Sequence, residues 1–580
     1  MKLKHTKCYI PNYPRPQLVR ADWVDLNGEW KFDFGEDVEE ANALQGNMSR
    51  KILVPFTYET VKSGVGQTER HELVWYSRKI KGKKGKHAIL YFEGADYDVE
   101  VYIDGKSVGT HRGAYTRFSF DVTDFLSEQE STLVVKCKDE SHPMQALGKQ
   151  RWMQESFSCW YVQTTGIYKS VWMEYVEDTY LTALKITPET KDYSVRFDVC
   201  VNRPAADVEV RFFVSFDGEP VQTASVWASE KENTLSVRLD SQRLRHQVVL
   251  WSHWDPNLYD VEIAVYKNGK LTDRVGSYFG LRDYRAKEGK LLFNDVPFYA
   301  KLLLDQGYWK DSGLTPPSEE ALARDIELSK QMGFNGVRKH QKTEDERFFY
   351  YADVMGFTVW CEMPSNHWFS DQATKEISRE WLDIVTQYYN HPSITTWVVF
   401  NESWGVRNLR RNPAQANLAT GLYYLTKSID TMRPVVSNDG WTQAKSDILT
   451  LHHYEQDAEK LLEFYNTLQK RTEGAVQNPQ MLPYAEGYAY EGQPIVFSEF
   501  GGAAHVSDCK GALDWGYGGV STTEEFLSRY ASLIEAIHRM DINGYCYTQL
   551  TDVEQEVNGL LNACHEPKFP VEEIEKRNRY

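Results

Sequence analysis

The chain has 580 residues, a formal net charge of −17 and an isoelectric point near 5.5, which is too long for one hydrophobic core and suits three or four domains. So acidic a surface repels polyanions, which excludes nucleic acid and anionic membranes as partners and points to a neutral partner. Aromatic residues make up 13%, among them 17 Trp and 35 Tyr; most serve cores, but sugar C–H faces also stack on aromatic rings.

The amino-terminal MKLKHTKCYIPNYPRPQ has lysines but no apolar run after them, and no stretch reaches about 18 apolar residues, so neither a secretory signal nor a membrane span is expected. The eight scattered cysteines form no CxxC pair and read as reduced thiols. A cytoplasmic protein is the expectation.

Residues 1–180 are strand-like, with alternating runs such as 88-AILYFEGA-95, 98-DVEVYIDGKSVG-109 and 169-KSVWMEYV-176. Asp104-Gly105 between two such runs is a hairpin signal. An all-β sandwich is predicted. Residues 181–283 carry further runs, 194-SVRFDVCV-201, 208-VEVRFFVSF-216, 235-LSVRL-239, 247-QVVLWS-252 and 260-DVEIAVYK-267, at a spacing that suits an immunoglobulin-like sandwich.

From 284 to 580 the pattern becomes strand, helix, strand, helix. Predicted strands are 297–305, 335–340, 357–363, 394–400, 433–438, 448–454, 495–500 and 543–550, with helical stretches between them such as 318–333, 375–389 and 523–540. Eight strands in about 300 residues predict a (β/α)8 TIM barrel, whose chemistry sits at the carboxyl ends of its strands. Those ends carry Asp305; Arg338 and His340; Glu362; Asn401 and Glu402; Asn438 and Asp439; His453 and Tyr454; Glu499; and Tyr547 and Gln549.

Glu402 and Glu499, facing each other across a barrel mouth, supply what glycosidic-bond cleavage needs: a proton donor for the leaving oxygen and a nucleophile or base. Arg338, His340 and Asn401 are candidate holders of sugar hydroxyls or carboxylates, and the remaining rim residues shape a subsite. Each has a plainer reading. A strand-end Glu is more often a cap or salt-bridge partner, Arg338-Lys339-His340 suits a solvated charge cluster, and His452-His453 suits a structural pair. The plain reading requires every rim position to be polar by coincidence. His340, His452, His453 and Glu362 offer metal ligands, but without HExxH or comparable spacing a metallohydrolase is a minor alternative. No metal and no cofactor is expected.

These segments resemble glycoside hydrolase family 2, which includes bacterial β-galactosidases and β-glucuronidases. The motifs are 23-WVDLNGEWKF-32, 54-VPF-56, 92-FEGADYDVEVYIDGKSVGTHRGAYTRFSFDVT-123 and 164-TTGIYKSVW-172 for its sugar-binding jelly-roll domain. The middle domain contributes 254-WDPNLYDVEI-263 and 278-YFGLR-282, and the barrel 333-GFNGVRKHQ-341, 400-FNESWG-405 and 497-FSEFGG-502. The resemblance implies retaining hydrolysis with Glu402 as acid/base and Glu499 as nucleophile, and substrate contacts by Asn401, Arg338, His340 and Tyr454. The family's β-glucuronidases carry an Asn-x-Lys that grips the substrate carboxylate, whereas here Asn558 is followed by Gly559 and Leu560, so glucuronides are expected to be poor substrates. Tyr547 stands where the family's large β-galactosidases have a strand-eight tryptophan.

The expected activity is exo-acting hydrolysis of terminal β-D-galactosides by double displacement, on a small glycoside or oligosaccharide. An arabinopyranoside, uronide or mannoside preference, or a non-catalytic carbohydrate-binding protein, is the alternative. A homo-oligomer is compatible with the sequence but is not specified by it.

Overall fold

A computed structural model describes residues 3–240, 248–468 and 483–579. The first domain is a sandwich of a six-stranded and a four-stranded antiparallel sheet. Alternation drives it: Val99, Val101 and Ile103 point inward against Leu133, Val135 and Cys137, while their neighbours face out. The predicted hairpin pairs Ile103 with Lys106 through Asp104 and Gly105, both at positive φ (47° and 75°), the geometry of a two-residue turn that matches strand twist.

The second domain packs a three-stranded sheet on a four-stranded one, with Phe197 and Val199 facing Val210 and Phe212. The predicted strand at 247–252 begins outside the described residues, and from Val248 the chain is irregular, with only Trp251 bridged, to Pro256.

Residues 284–297 form three short antiparallel strands before the barrel begins. Tyr284, Leu291 and Phe293 pack with Trp251 and Phe298 onto the interior side chains Leu302, Trp360, Val398, Val436, Val496 and Cys546, plugging the barrel's amino end.

The barrel strands are β1 (Ala300–Asp305), β2 (Gly336–Lys339), β3 (Thr358–Glu362), β4 (Ile394–Val398), β5 (Val435–Val436), β6 (Leu449–His452), β7 (Ile495–Gly501) and β8 (Gly544–Thr548). They pair in parallel in the order β5-β4-β3-β2-β1-β8-β7-β6, leaving the ladder open only between β5 and β6 among the described residues. The turns of 437–448 join those two without a helix.

Helices α1 (Glu319–Gln331), α2 (Glu346–Met355), α3 (Asp371–Tyr388), α4 (Pro413–Ile429), α5 (Ala458–Asn466), α6 (Thr523–His538) and α7 (Val571–Asn578) cover the outside. Ser318, Ser370 and Thr522 cap α1, α3 and α6 by accepting backbone N–H bonds, which sets their starts. Both faces of α2 are covered, Phe348 to Val354 all being buried.

Candidate active site

Strand alternation decides which strand-end residues reach the mouth. On β1, Leu302 and Leu304 point into the barrel and Leu303 toward the helices. Asp305 shares the parity of Leu303 and pairs with Lys339 at 2.6 Å, and Lys339 also reaches Glu344 at 2.7 Å. Asp305 therefore holds β1 to β2 on the outer side. Tyr547 has the outward parity of Tyr545, and its ring meets Phe500 and Tyr530 edge-on at 5.5 and 4.9 Å. His453 stacks on Phe464 of α5 at 3.9 Å. Gln549, fully buried, accepts a bond from Gln306 Nε2 at 2.7 Å. The structure does not bring Asp305, Tyr547 or His453 to the mouth.

Arg338 has the inward parity and gathers the rest. Its Nε donates to Glu362 Oε1 at 2.6 Å, and Nη2 donates to Asn401 Oδ1 at 3.1 Å. Nη1 lies 2.7 Å from Ser498 O, 2.7 Å from Asp439 Oδ2 and 3.1 Å from Glu499 Oε1. Side chains from β3 and β7 and from the segments after β4 and β5 thus meet on one buried guanidinium of β2, whose planar fork suits several acceptors at once. Removing one partner of such a network costs about 3–5 kcal/mol, so Arg338 ties these segments together.

His452 ends β6 on the inward side. Its Nδ1 is 3.0 Å from Glu402 Oε1 and 3.4 Å from Glu499 Oε2, and its Nε2 is 2.8 Å from Asp439 Oδ2. Burial opposes its charge, but Glu499 and Asp439 overcome this and raise it to about 10, so both ring nitrogens donate. Glu402, His452 and Glu499 each place one potential ligand atom within 4.8 Å of the others. A group raised above its unfolded value of 6.5 gives stability that is complete below that pH and lost as pH rises through about 10. The thermal stability advantage of the wild type over His452→Gln is accordingly expected to shrink between pH 7 and pH 10.5; a gap constant across that range in melting curves would contradict the charged assignment.

His340 behaves oppositely. Burial and then Lys149 push it well below its ordinary range, and its Nδ1 lies 3.0 Å from Glu362 Oε2 and 3.3 Å from Arg338 Nη2. Asp439, though burial opposes its charge, is held far below the usual carboxylate range by Arg338 and then His452. Burial pushes the Glu362 carboxyl up, with Arg338 opposing.

Local backbone distortions aim the two glutamates. After β4, Glu402, Ser403 and Gly405 all take positive φ (50°, 60° and 76°), and the turn is held by Glu402 N to Asp439 O at 3.0 Å and Ser403 N to Asn438 Oδ1 at 2.8 Å. Strained residues of this kind cost about 1–3 kcal/mol each and persist where surrounding bonds over-determine them. A Cβ on Gly405 would stand 2.3 Å from Asn366 Oδ1, so only glycine fits. On β7 the ladder shifts register between Phe497 and Phe500, both of which face the helices. The extra residue lets Ser498 and Glu499 both turn toward Arg338, the use bulges have beside active sites. Tyr454 OH donates to Glu499 Oε2 and lies 3.2 Å from Thr548 Oγ1. Burial and then Glu499 push the Tyr454 phenol well above its ordinary range, so it keeps its proton. Its ring stacks on Tyr517 at 3.3 Å.

Among the predicted site residues, Arg338, His340, Glu362, Asn401, Glu402, Tyr454 and Glu499 thus converge. His452 joins them in place of its neighbour His453, since a shift of one residue turns a strand side chain to the other face.

The first domain closes one side of the mouth. Trp515 Nε1 donates to Ser158 O at 2.9 Å, Gln555 Nε2 to Ser158 O at 2.7 Å, and Tyr161 OH to Glu556 Oε2 at 2.6 Å. Trp160 stands 5.0 Å from Trp404, two residues beyond Glu402, and Trp152 lies 4.2 Å from His367. No single-segment motif signals this wall, because its halves come from different domains.

A jelly-roll, an immunoglobulin-like sandwich and a TIM barrel, with two glutamates facing each other at the barrel's carboxyl end, define the architecture of a glycoside hydrolase class. Family models for the sugar-binding domain, the middle domain and the TIM barrel domain of glycosyl hydrolases family 2 match residues 24–175, 179–282 and 287–576. The chain belongs to glycoside hydrolase family 2.

Relatives include a putative β-glucuronidase of Formosa agariphila, 26% identical over 66% of this chain and 46% of that protein, and a β-galactosidase of Thermoanaerobacter pseudethanolicus, 25% identical over 66% of this chain and 51% of that protein. The chain spans about half the length of these curated relatives. In fold it is similar to a Bifidobacterium dentium β-glucuronidase complexed with coumarin-3-O-glucuronide (TM-score 0.79, 19% identity, 98% of each chain). It is also similar to an Eisenbergiella tayi β-galacturonidase bound to galacturonate (TM-score 0.76, 20% identity, 98% of each chain). No described helix is long and apolar enough to cross a membrane.

Proposed function

We propose that this chain is an exo-acting, retaining β-glycosidase in which Glu499 is the nucleophile and Glu402 the acid/base. The observation that carries this reading is the approach of a Glu402 and a Glu499 carboxylate oxygen to within 4.8 Å. Retaining pairs stand about 5–5.5 Å apart, while inverting pairs need about 6.5–9.5 Å to admit water. Glu499 attacks the anomeric carbon as the glycosidic bond breaks, and the departing oxygen takes the proton of Glu402. Water then gives a proton to Glu402 and displaces Glu499, restoring the original configuration.

Arg338 and Tyr454 hold the attacking carboxylate in one orientation by donating to its two oxygens. Asn401, His340, Glu362 and Tyr454 shape the terminal-sugar subsite, and Asp305, His453, Tyr547 and Gln549 support it from behind. The first-domain wall supports an exo action, because a mouth closed on one side accepts a chain end. A terminal β-D-galactoside is the reading the sequence favours, since 558-NGL-560 lacks a lysine. A uronide is the second reading, favoured by Lys149 as argued below.

A panel of nitrophenyl β-glycosides, with proton NMR of the first-formed anomer, tests the function. Turnover with the β anomer appearing first is expected. The α anomer first would overturn retention, and sugar binding without turnover on any member would identify a non-catalytic binding protein.

A further inference from the structure

Among the described residues, the cations that contact the carboxylate pair are themselves matched to carboxylates. Arg338 is shared by Glu362, Asp439 and Glu499, and His452 by Glu402 and Asp439. Lys568, the next lysine after Asn558, is held by Asp508 at 2.8 Å and Asp552 at 3.0 Å. Lys149 of the first domain is different. It is 6% exposed, and its ammonium stands 5.2 Å from the Trp404 ring centre and 6.0 Å from that of Tyr161. Among the described residues no carboxylate lies within ion-pair distance of it. Burial disfavours its charge, but Cys159, with which it shares a hydrogen bond, and the carboxylates Glu556, Glu499 and Glu402 raise its pKa above the ordinary value.

The chain fixes this lysine firmly. Gly148 takes φ +59°, and a Cβ there would stand 2.2 Å from the carbonyl oxygen of Gln341. Leu147 N and Gly148 N both donate to Ser365 O, at 3.2 and 3.0 Å, and His367 Nε2 lies 3.1 Å from Gly148 O. The loop is therefore fastened to the segments after β2 and β3 that carry His340 and Glu362. A buried ammonium without an ion-pair partner is costly to hold, and a pre-positioned one suits an anion that arrives with the ligand.

We propose that Lys149 is a specificity-determining residue that receives the carboxylate of a terminal hexuronide, doing from another domain what 558-NGL-560 does not. This rests on the glycosidase reading above. It departs from the expectation that uronides are poor substrates, because the missing charge is supplied through the domain interface.

The test compares nitrophenyl β-D-glucuronide and β-D-galacturonide with the matched β-D-galactoside, using wild type, Lys149→Met and Lys149→Arg. Wild type is expected to hydrolyse a hexuronide and not only the neutral galactoside. Lys149→Met is expected to lower the ratio of hexuronide to galactoside kcat/KM by about tenfold or more, mainly through KM, the scale of a lost charge-assisted hydrogen bond. Lys149→Arg is expected to keep that ratio within about threefold, since it keeps the charge.

Wild type that hydrolyses only neutral glycosides, or a Lys149→Met that lowers both substrates equally, overturns the proposal while leaving the glycosidase reading intact. If no glycoside is hydrolysed, the glycosidase reading fails instead, and calorimetry with free glucuronate and galacturonate decides the role of Lys149. Binding to wild type that is lost in Lys149→Met supports the proposal; no binding to wild type overturns it.

Discussion

Glu499→Ala is expected to abolish turnover of every glycoside, whatever its leaving group, by about four orders of magnitude or more, the scale seen when a covalent nucleophile is removed. In the proposed mechanism both chemical steps pass through the bond between Glu499 and the anomeric carbon. A better leaving group cannot compensate, because the group that must attack is gone. The methyl side chain leaves room for a small anion, and azide entering that space from the Glu499 side would attack with a single inversion. The expected product is then the α-glycosyl azide. Initial rates on a nitrophenyl and an alkyl glycoside, with NMR of any azide product, measure this. Activity near wild type on either substrate would remove Glu499 from the nucleophile role.

Glu402→Ala is expected to divide substrates by leaving group. Nitrophenolate departs without a proton, so its glycosides should still transfer sugar to Glu499, whereas alkyl glycosides should lose about 10²–10⁴-fold, the usual worth of general acid catalysis. For nitrophenyl substrates the slow step becomes release of the sugar, because the incoming water has lost the base that takes its proton. KM should fall together with kcat as the glycosyl-enzyme accumulates. Azide needs no base, so adding it should raise turnover and yield the β-glycosyl azide, the product of two inversions. Glu402 is placed for this work: its side chain is 19% exposed where that of Glu499 is 5% exposed, so leaving group and water have a route to it. Nitrophenyl kinetics with and without azide, followed by NMR, provide the measurement. If Glu402→Ala gives the α azide and Glu499→Ala the β azide, the two roles are exchanged.

The site was legible in the sequence wherever a polar residue followed an apolar strand with a clean alternation. Arg338 and His340 lie on either side of Lys339, so inward, outward and inward positions follow from strand geometry. Lys339 takes the outward place and pairs with Asp305 and Glu344. On β6 the inward residue is His452, which holds Glu402 and Asp439, while His453, one residue on, stacks on Phe464. Tyr547 lies on the outward face with Tyr545.

The sequence by itself determined the order of two β domains and a barrel, through periods of two and then of alternating two and 3.6. Its motifs also placed Glu402 and Glu499 at strand ends. These are local properties, set by neighbours a few residues apart. Only the tertiary structure decided that β3, β7 and the segments after β4 and β5 share one guanidinium of β2, that a bulge turns Glu499 and a positive-φ turn raises Glu402, and that Lys149 enters the mouth from the first domain. A register shift is fixed by the strands on either side and a domain contact by the complementarity of two distant surfaces, and neither has a period that a single stretch of sequence can display.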